Sequence, residues 1–169
     1  MVSSIKNAWR KGNVASVLFL DVKGAFPSVD VDMLIHKMLM MGIPAQYTDW
    51  LRQRLGGRKT ILTFNDFKSI IFAVTNGLDQ GDPLSQVLYV IYNSSALRRL
   101  QNGEEGFLFI DDKALLVQGK TFTDTHQKIK DIMERPEGIL EWASDHNCEY
   151  GIEKFQLVDF TTKTREVVP

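Results

Sequence analysis

The chain has 169 residues, 44% hydrophobic and 24% charged, with three Trp, ten Phe and a net charge of −1. That composition suits one globular domain with a real core and excludes disordered and fibrous classes. No apolar run is long enough to span a bilayer, MVSSIKNAWRKG lacks the apolar core of a secretory signal, and the single Cys148 cannot form an internal disulfide, so an intracellular, reducing setting with no membrane partner is expected. The near-neutral charge argues mildly against a self-sufficient nucleic-acid binder and leaves room only for a locally basic groove. The densest basic stretch, RQRLGGRK at 52–59, reads first as a solvated helix end.

The elements alternate along the chain. Residues 14–21, VASVLFLD, read as a strand buried on both faces, with Asp21 as the polar residue at its end. VDMLIHKMLMM, 31–41, fits a helix capped by Asp30 or Ser28 and stopped at Gly42. Pro44 opens a second helix that ends at Gly56-Gly57. KTILTF and KSIIFAV, separated by Asn65-Asp66, predict a hairpin. TNGLDQGDP is loop chemistry, and Pro83 starts the apolar helix LSQVLYVIYNSSALRRL. FLFI at 107–110 and ALLV at 114–117 are short apolar strands flanking Asp111-Asp112 in the turn between them. A helical stretch over 122–146 is broken near Pro136 and Gly138, and FQLVDFTTK reads as a last strand. This order predicts an α+β fold, a largely antiparallel sheet covered by helices on one face.

Asp residues favour turns because the side chain bonds its own backbone, so an Asp-Asp turn standing alone is a turn. The apolar flanks change that reading. Strands of one core end near one another, and carboxylates gathered at those ends repel unless a cation neutralises them. A hard, oxygen-loving ion such as Mg²⁺ does so with one or two carboxylates plus substrate phosphates.

Four motifs then stand in order over about 140 residues: FLDVKGAF at 19–26, GLDQGDPLS at 77–85, FIDD at 109–112 and WASDHNCEYGIEKFQLVDF at 142–160. They resemble motifs A, B, C and D of reverse transcriptases, and DVKGAFPSVD with the LSQVLYVIYN helix is most similar to non-LTR retrotransposon polymerases of the kind abundant in fungal genomes. The resemblance implies a polymerase palm with part of the fingers, a single partial domain over residues 1–169. It implies RNA-directed DNA synthesis by two-metal nucleotidyl transfer, with Mg²⁺ as cofactor and an RNA template, a DNA primer and dNTPs as partners. A nuclear location follows from the family, not from a signal in the sequence.

Residue by residue, the resemblance makes Asp21 and Asp111 ligands of both metals and Asp112 an accessory carboxylate. Phe26 would exclude a 2′-hydroxyl, Gln80 and Gly81 would line the nucleotide pocket, and backbone N–H groups from Val22 onward would meet the triphosphate. Lys154 would stabilise or protonate the leaving pyrophosphate. Each has a plainer alternative: a core Phe, a turn before a helix, a surface lysine.

The chain also departs from the pattern. Asp79 stands where motif B commonly has Pro, and Asp82 adds a second acid; both should weaken triphosphate binding unless they face basic groups. Ile110 is bulkier than usual, and Lys113 could pair with Asp112 and compete with metal. Only about 20 residues precede Asp21 and 15 follow Lys154, so the basic fingers motifs and the thumb are expected to be missing. His36, His126, His146 and Cys148 do not fall at metal-ligand spacing and are expected to be surface or core residues. The expected function is a reverse transcriptase palm fragment. The alternatives are a catalytically silent retroelement remnant and, last, a magnesium-dependent phosphatase or nuclease, which leaves Phe26 and Gln80-Gly81 unexplained.

Overall fold

Helix α1 (Val2–Arg10) turns at Lys11-Gly12 into strand β1 (Val14–Leu20), of which every residue but Phe19 is buried. A strand apolar on both faces needs cover on both, and the sheet around β1 provides it. The computed structural model describes residues 1–162, in two compact units: one holds residues 1–23 and those from Asn93 onward, the other Gly24–Tyr92.

In the first unit β2 (Val22–Lys23) follows Asp21 directly. The second unit opens with α2 (Val31–Met40), which starts where Asp30 Oδ1 accepts the Met33 N–H at 2.9 Å and stops at Gly42, φ +81°. Both ends match the expected cap and stop. α3 (Ala45–Leu55) follows Pro44. The predicted hairpin is present but fragmented. Lys59–Thr60 (β3) pairs with Phe72–Ala73 (β6), and Thr63–Phe64 (β4) with Phe67–Lys68 (β5) around Asn65. Its apolar side chains, Phe64, Phe67, Ile70 and Ile71 among them, are exposed: the segment has strand composition but no sheet of its own to bury it. α4 (Pro83–Ser94) begins at the expected proline.

Back in the first unit, a 3-10 turn over Ser95–Arg99 leads to β7 (Glu104–Phe109) and β8 (Asp112–Gly119). Then come α5 (Phe122–Glu134), capped by Thr121, and α6 (Ile139–Asp145), separated as expected at Pro136 and Gly138. β9 (Glu149–Tyr150), a short 3-10 turn and β10 (Gln156–Phe160) complete the described chain.

The main sheet has the order β10-β1-β8-β7, antiparallel throughout, and β2 pairs with β9 in a separate two-stranded ladder. Alternation splits β1 between two cores. Ala15 and Val17 pack with Ala114 and Leu116 against Ile5 and Ala8 of α1. Ser16 points the other way, where its hydroxyl meets Thr125 of α5 at 2.6 Å and Asp159 of β10 at 2.5 Å; His126 also bonds Asp159, at 2.9 Å. Helices therefore cover both faces, where the sequence led us to expect one. An amphipathic helix of nine residues preceding the first strand is enough to make the second layer.

A part-buried ion pair closes the far end of this unit. Arg135 donates to both carboxylate oxygens of Glu104, at 2.6 and 2.8 Å, and to the Arg99 carbonyl at 2.8 Å. The hydrogen bonds from Arg135 hold the Glu104 carboxyl below its ordinary value of 4.5. A depressed acid stabilises above its unfolded value and loses that contribution as pH falls through the folded one. Glu104→Gln, which leaves the part-buried Arg135 without its partner charge, should therefore cost about 1–2 kcal/mol in urea unfolding at pH 7. The gap to the parent protein should shrink as pH is lowered below 4.5; a gap that does not change with pH would contradict this assignment.

Candidate active site

The register of the first unit's sheet brings two of the expected acids to one end. Leu20 pairs with Lys113 and Phe109 with Asp112, so Asp21, next after β1, and Asp112, first in β8, lie at the same edge. By strand alternation both share the face of Phe19, Ala114 and Phe107. Lower on that face α1 packs over Ala15, Val17 and Leu116. At the open end there is a cavity of about 580 Å³, walled by Asp21, Asp112 and Lys154 over an apolar floor that includes Phe19, Phe107, Phe109 and Ala114.

The hairpin that carries the acidic pair is tight. Only Ile110 and Asp111 form the loop, and Asp112 already belongs to β8, one residue further into the strand than expected. Ile110 has φ +59°. A β-branched residue there is a true outlier, held at a cost of about 1–2 kcal/mol. Its carbonyl accepts from the buried Asn93 side chain at 3.5 Å. The strained loop allows the two strands to turn without a spacer, which leaves Asp111 at the tip, half-buried, and Asp112 on the cavity wall.

Asp21 is held through two of its oxygens, and Gly151 leaves room beside one of them. Its carbonyl accepts the Gly151 N–H at 2.9 Å, its Oδ2 accepts from Lys154 Nζ at 2.9 Å, and a Cβ on Gly151 would stand 3.3 Å from that same oxygen. The hydrogen bond and charge of Asp21 raise the Lys154 pKa above its ordinary value. Val22 pairs with Tyr150 in the β2–β9 ladder, and Lys23 bonds Glu149 at 3.0 Å, with Glu153 at 3.6 Å. The bond to Glu149, first among its causes, raises the Lys23 pKa as well.

Among the described residues, no three His, Cys, Asp or Glu side chains converge closely enough to hold a metal ion by themselves. The donor set at the cavity is thinner: two carboxylates, with Asp111 outside the lining. That set fits Mg²⁺, which binds through one or two carboxylates and takes its remaining oxygens from water and phosphate. The Lys154 ammonium on Asp21 marks the place where a cation is favoured.

Lys113 departs from expectation. Strand alternation carries it to the opposite face from Asp112, where it is 1% exposed and donates to the Tyr150 hydroxyl. Burial pushes that hydroxyl far above the usual phenol range, so Tyr150 stays neutral and able to accept. The histidines are ordinary: His126 bonds Asp159, His146 stacks on Trp142, and His36 is exposed.

The second unit holds the other predicted residues. Phe26 is half-buried, its ring centre 5.3 Å from that of Tyr89. Gln80 and Gly81 are the exposed central residues of a turn from Asp79 to Asp82, and Gly81 at φ +87° takes the position of a type II turn that calls for glycine. Both neighbouring acids face basic groups. Arg54 binds Asp82 at 2.6 Å, and Arg58 binds Asp79 at 3.0 Å while also donating to the Asn76 and Gly77 carbonyls. The basic stretch 52–59 is thus a brace for the Gln80-Gly81 turn more than a solvated end. Gly77 packs so close to Pro27 that a Cβ would lie 2.8 Å from its backbone. Sequence reasoning found neither these arginines nor Tyr150 and Trp142; nothing in their spacing announces partners 20 to 40 residues away.

Comparison with known proteins agrees with this geometry. The reverse transcriptase (RNA-dependent DNA polymerase) family matches residues 1–166. The chain is 27% identical over its whole length to a probable RNA-directed DNA polymerase from transposon X-element of Drosophila melanogaster. It is 26% identical over 98% of its length to the RNA-directed DNA polymerase from mobile element jockey of Drosophila funebris. A Pol polyprotein of an R2 retrotransposable element from Popillia japonica is 28% identical over 57% of the chain. These relatives are insect elements, not fungal ones, and the chain spans 18% of the length of the first two. Among solved structures, telomerase from Candida tropicalis, in complex with a telomeric RNA fragment, superposes over 95% of this chain and 29% of its own, with a TM-score of 0.69 at 13% identity. Telomerase from Candida albicans gives a TM-score of 0.63. That likeness shows the fold, an α+β palm-like core. The family match over 166 of 169 residues settles the larger point: the chain belongs to the reverse transcriptase family, and its homologues are RNA-directed DNA polymerases of non-LTR retrotransposons.

Proposed function

We propose that this chain carries the catalytic core of RNA-templated DNA synthesis, adding deoxynucleotides from dNTPs to a primer 3′-hydroxyl. The observation that carries the reading is Asp21 and Asp112 on one face of adjacent strand ends, open to a cavity and balanced there by an ammonium group. Bound Mg²⁺ would supply charge neutralisation and a more acidic primer hydroxyl. Asp21, Asp111 and Asp112 are the residues assigned to hold it. Lys154, kept protonated by Asp21, is assigned to pass its hydrogen bond, or its proton, to a leaving pyrophosphate. The exposed Gln80-Gly81 turn, stiffened by Arg54 and Arg58, offers backbone to a nucleotide, and Phe26 is assigned the exclusion of a 2′-hydroxyl.

Primer extension on poly(rA)/oligo(dT) with dTTP and Mg²⁺ tests the reading. Incorporation that falls roughly 10²–10³-fold in Asp111→Asn supports it. No incorporation at all from the folded parent would favour the silent-remnant alternative. If Phe26 excludes the 2′-hydroxyl, Phe26→Ala should shift the rNTP-to-dNTP ratio upward roughly tenfold; an unchanged ratio would return Phe26 to the role of a core ring. The Lys154–Asp21 pair has its own check. A raised lysine pKa means the pair persists through neutral pH and is lost only as pH climbs past 10.5. In Asp21→Asn the Lys154 titration followed by NMR should move down toward that ordinary value.

A further inference from the structure

Lys113 sits on a central strand beside the acidic pair, yet is 1% exposed. An ammonium there needs compensation. Its nitrogen lies 4.4 Å from the ring centre of Trp142 and 5.0 Å from that of Tyr150, and it donates to the Tyr150 hydroxyl. Both rings are buried and anchored. Trp142 donates from Nε1 to Ser95 Oγ at 3.0 Å and stacks on His146 with ring centres 4.4 Å apart. Tyr150 is paired with Val22, the residue after Asp21, and the residue after Tyr150 gives its N–H to the Asp21 carbonyl at 2.9 Å.

These contacts close a loop. Asp112 leads to Lys113 along the chain, Lys113 to Tyr150 through the ammonium, Tyr150 to Gly151 along the chain, and Gly151 to Asp21 through a backbone hydrogen bond. The register of β1 with β8 ends at Leu20–Lys113, one residue short of both acids. Beyond that last pair, the Lys113–Tyr150 bond is a tie between the strand that carries Asp112 and the ladder that carries Asp21. Cation–ring contacts of a desolvated ammonium are strong enough to hold such a tie in place.

We propose that Lys113 is a positioning residue for the cation site, fixing the separation of the Asp21 and Asp112 carboxylates from the far face of the sheet. The inference rests on reading those carboxylates as a divalent-cation site. Lys113 itself touches neither cation nor substrate. An arginine could keep both the ring contacts and the hydroxyl bond, whereas a methionine fills the channel but cannot bond Tyr150.

Mn²⁺ binding to the full chain, followed by electron paramagnetic resonance of the free ion, separates the possibilities. Lys113→Met and Tyr150→Phe should each weaken Mn²⁺ by about tenfold or more, as loss of an outer-shell partner does at metal sites generally. Lys113→Arg should restore binding to within about threefold of the parent, well inside that outer-shell range. Ile132→Val, a change in the buried face of α5, should lower stability and leave Mn²⁺ affinity alone. Folding of every variant is checked by circular dichroism. Should Lys113→Met fail to fold, Tyr150→Phe, which removes one oxygen, carries the test. Parent-like Mn²⁺ affinity in folded Lys113→Met and Tyr150→Phe, with Asp21→Asn and Asp112→Asn impaired, overturns the positioning role and leaves the cation site standing. Binding that survives both Asp21→Asn and Asp112→Asn removes the cation site itself, and the proposal with it.

Discussion

Carboxylates at neighbouring strand ends repel one another, and the first unit is arranged around that repulsion. Asp21 and Asp112 line one cavity, and a whole domain is stable by only about 5–15 kcal/mol, so charge of one sign gathered there calls for compensation. Here it comes from one side as the Lys154 ammonium on Asp21 and from behind as Lys113, buried next to Asp112 in sequence but on the opposite face. The strain of Ile110 at the hairpin is a second cost of the same arrangement, since a relaxed, longer loop would carry Asp112 away from the sheet edge.

Placement of the acids follows from how the sheet is covered. α1 covers the part of its face around Ala15, Val17, Ala114 and Leu116, while α5 and α6 line the other face. The uncovered end is where Phe19, Phe107 and Phe109 form an apolar floor, with Phe109 left 75% exposed. The same economy of charge appears in the second unit, where Asp79 and Asp82 flank the Gln80-Gly81 turn. Each is paired with an arginine, so the turn presents its backbone with the flanking acids already neutralised.

Much of this was legible in the order of residues. Most of the elements, the cap at Asp30, the stops at Gly42 and Pro136, and the family motifs follow from local chemistry: turn residues, glycine at positive φ, apolar runs of period two or near four. The resemblance also singles out Asp21, Asp111, Asp112, Phe26, Gln80, Gly81 and Lys154 as the residues expected at the site, because they stand at the motif positions in order.

What the order of residues could not decide was direction. Lys113 follows Asp112 and, read along the chain, competes for it; in a pleated strand adjacent side chains point to opposite faces, so it turns into the core and joins Tyr150, 37 positions later. Arg54 and Arg58 read as solvent-facing charge until the fold sets them on Asp82 and Asp79. No element is read in residues 2–10, yet they form α1, whose apolar face closes the second side of the sheet. The sequence by itself determined the kinds of element and the chemical groups available. The tertiary structure alone decided which face each group occupies and which distant partner it meets, because strand register and helix packing are set by burial of the whole core and not by any neighbouring residue.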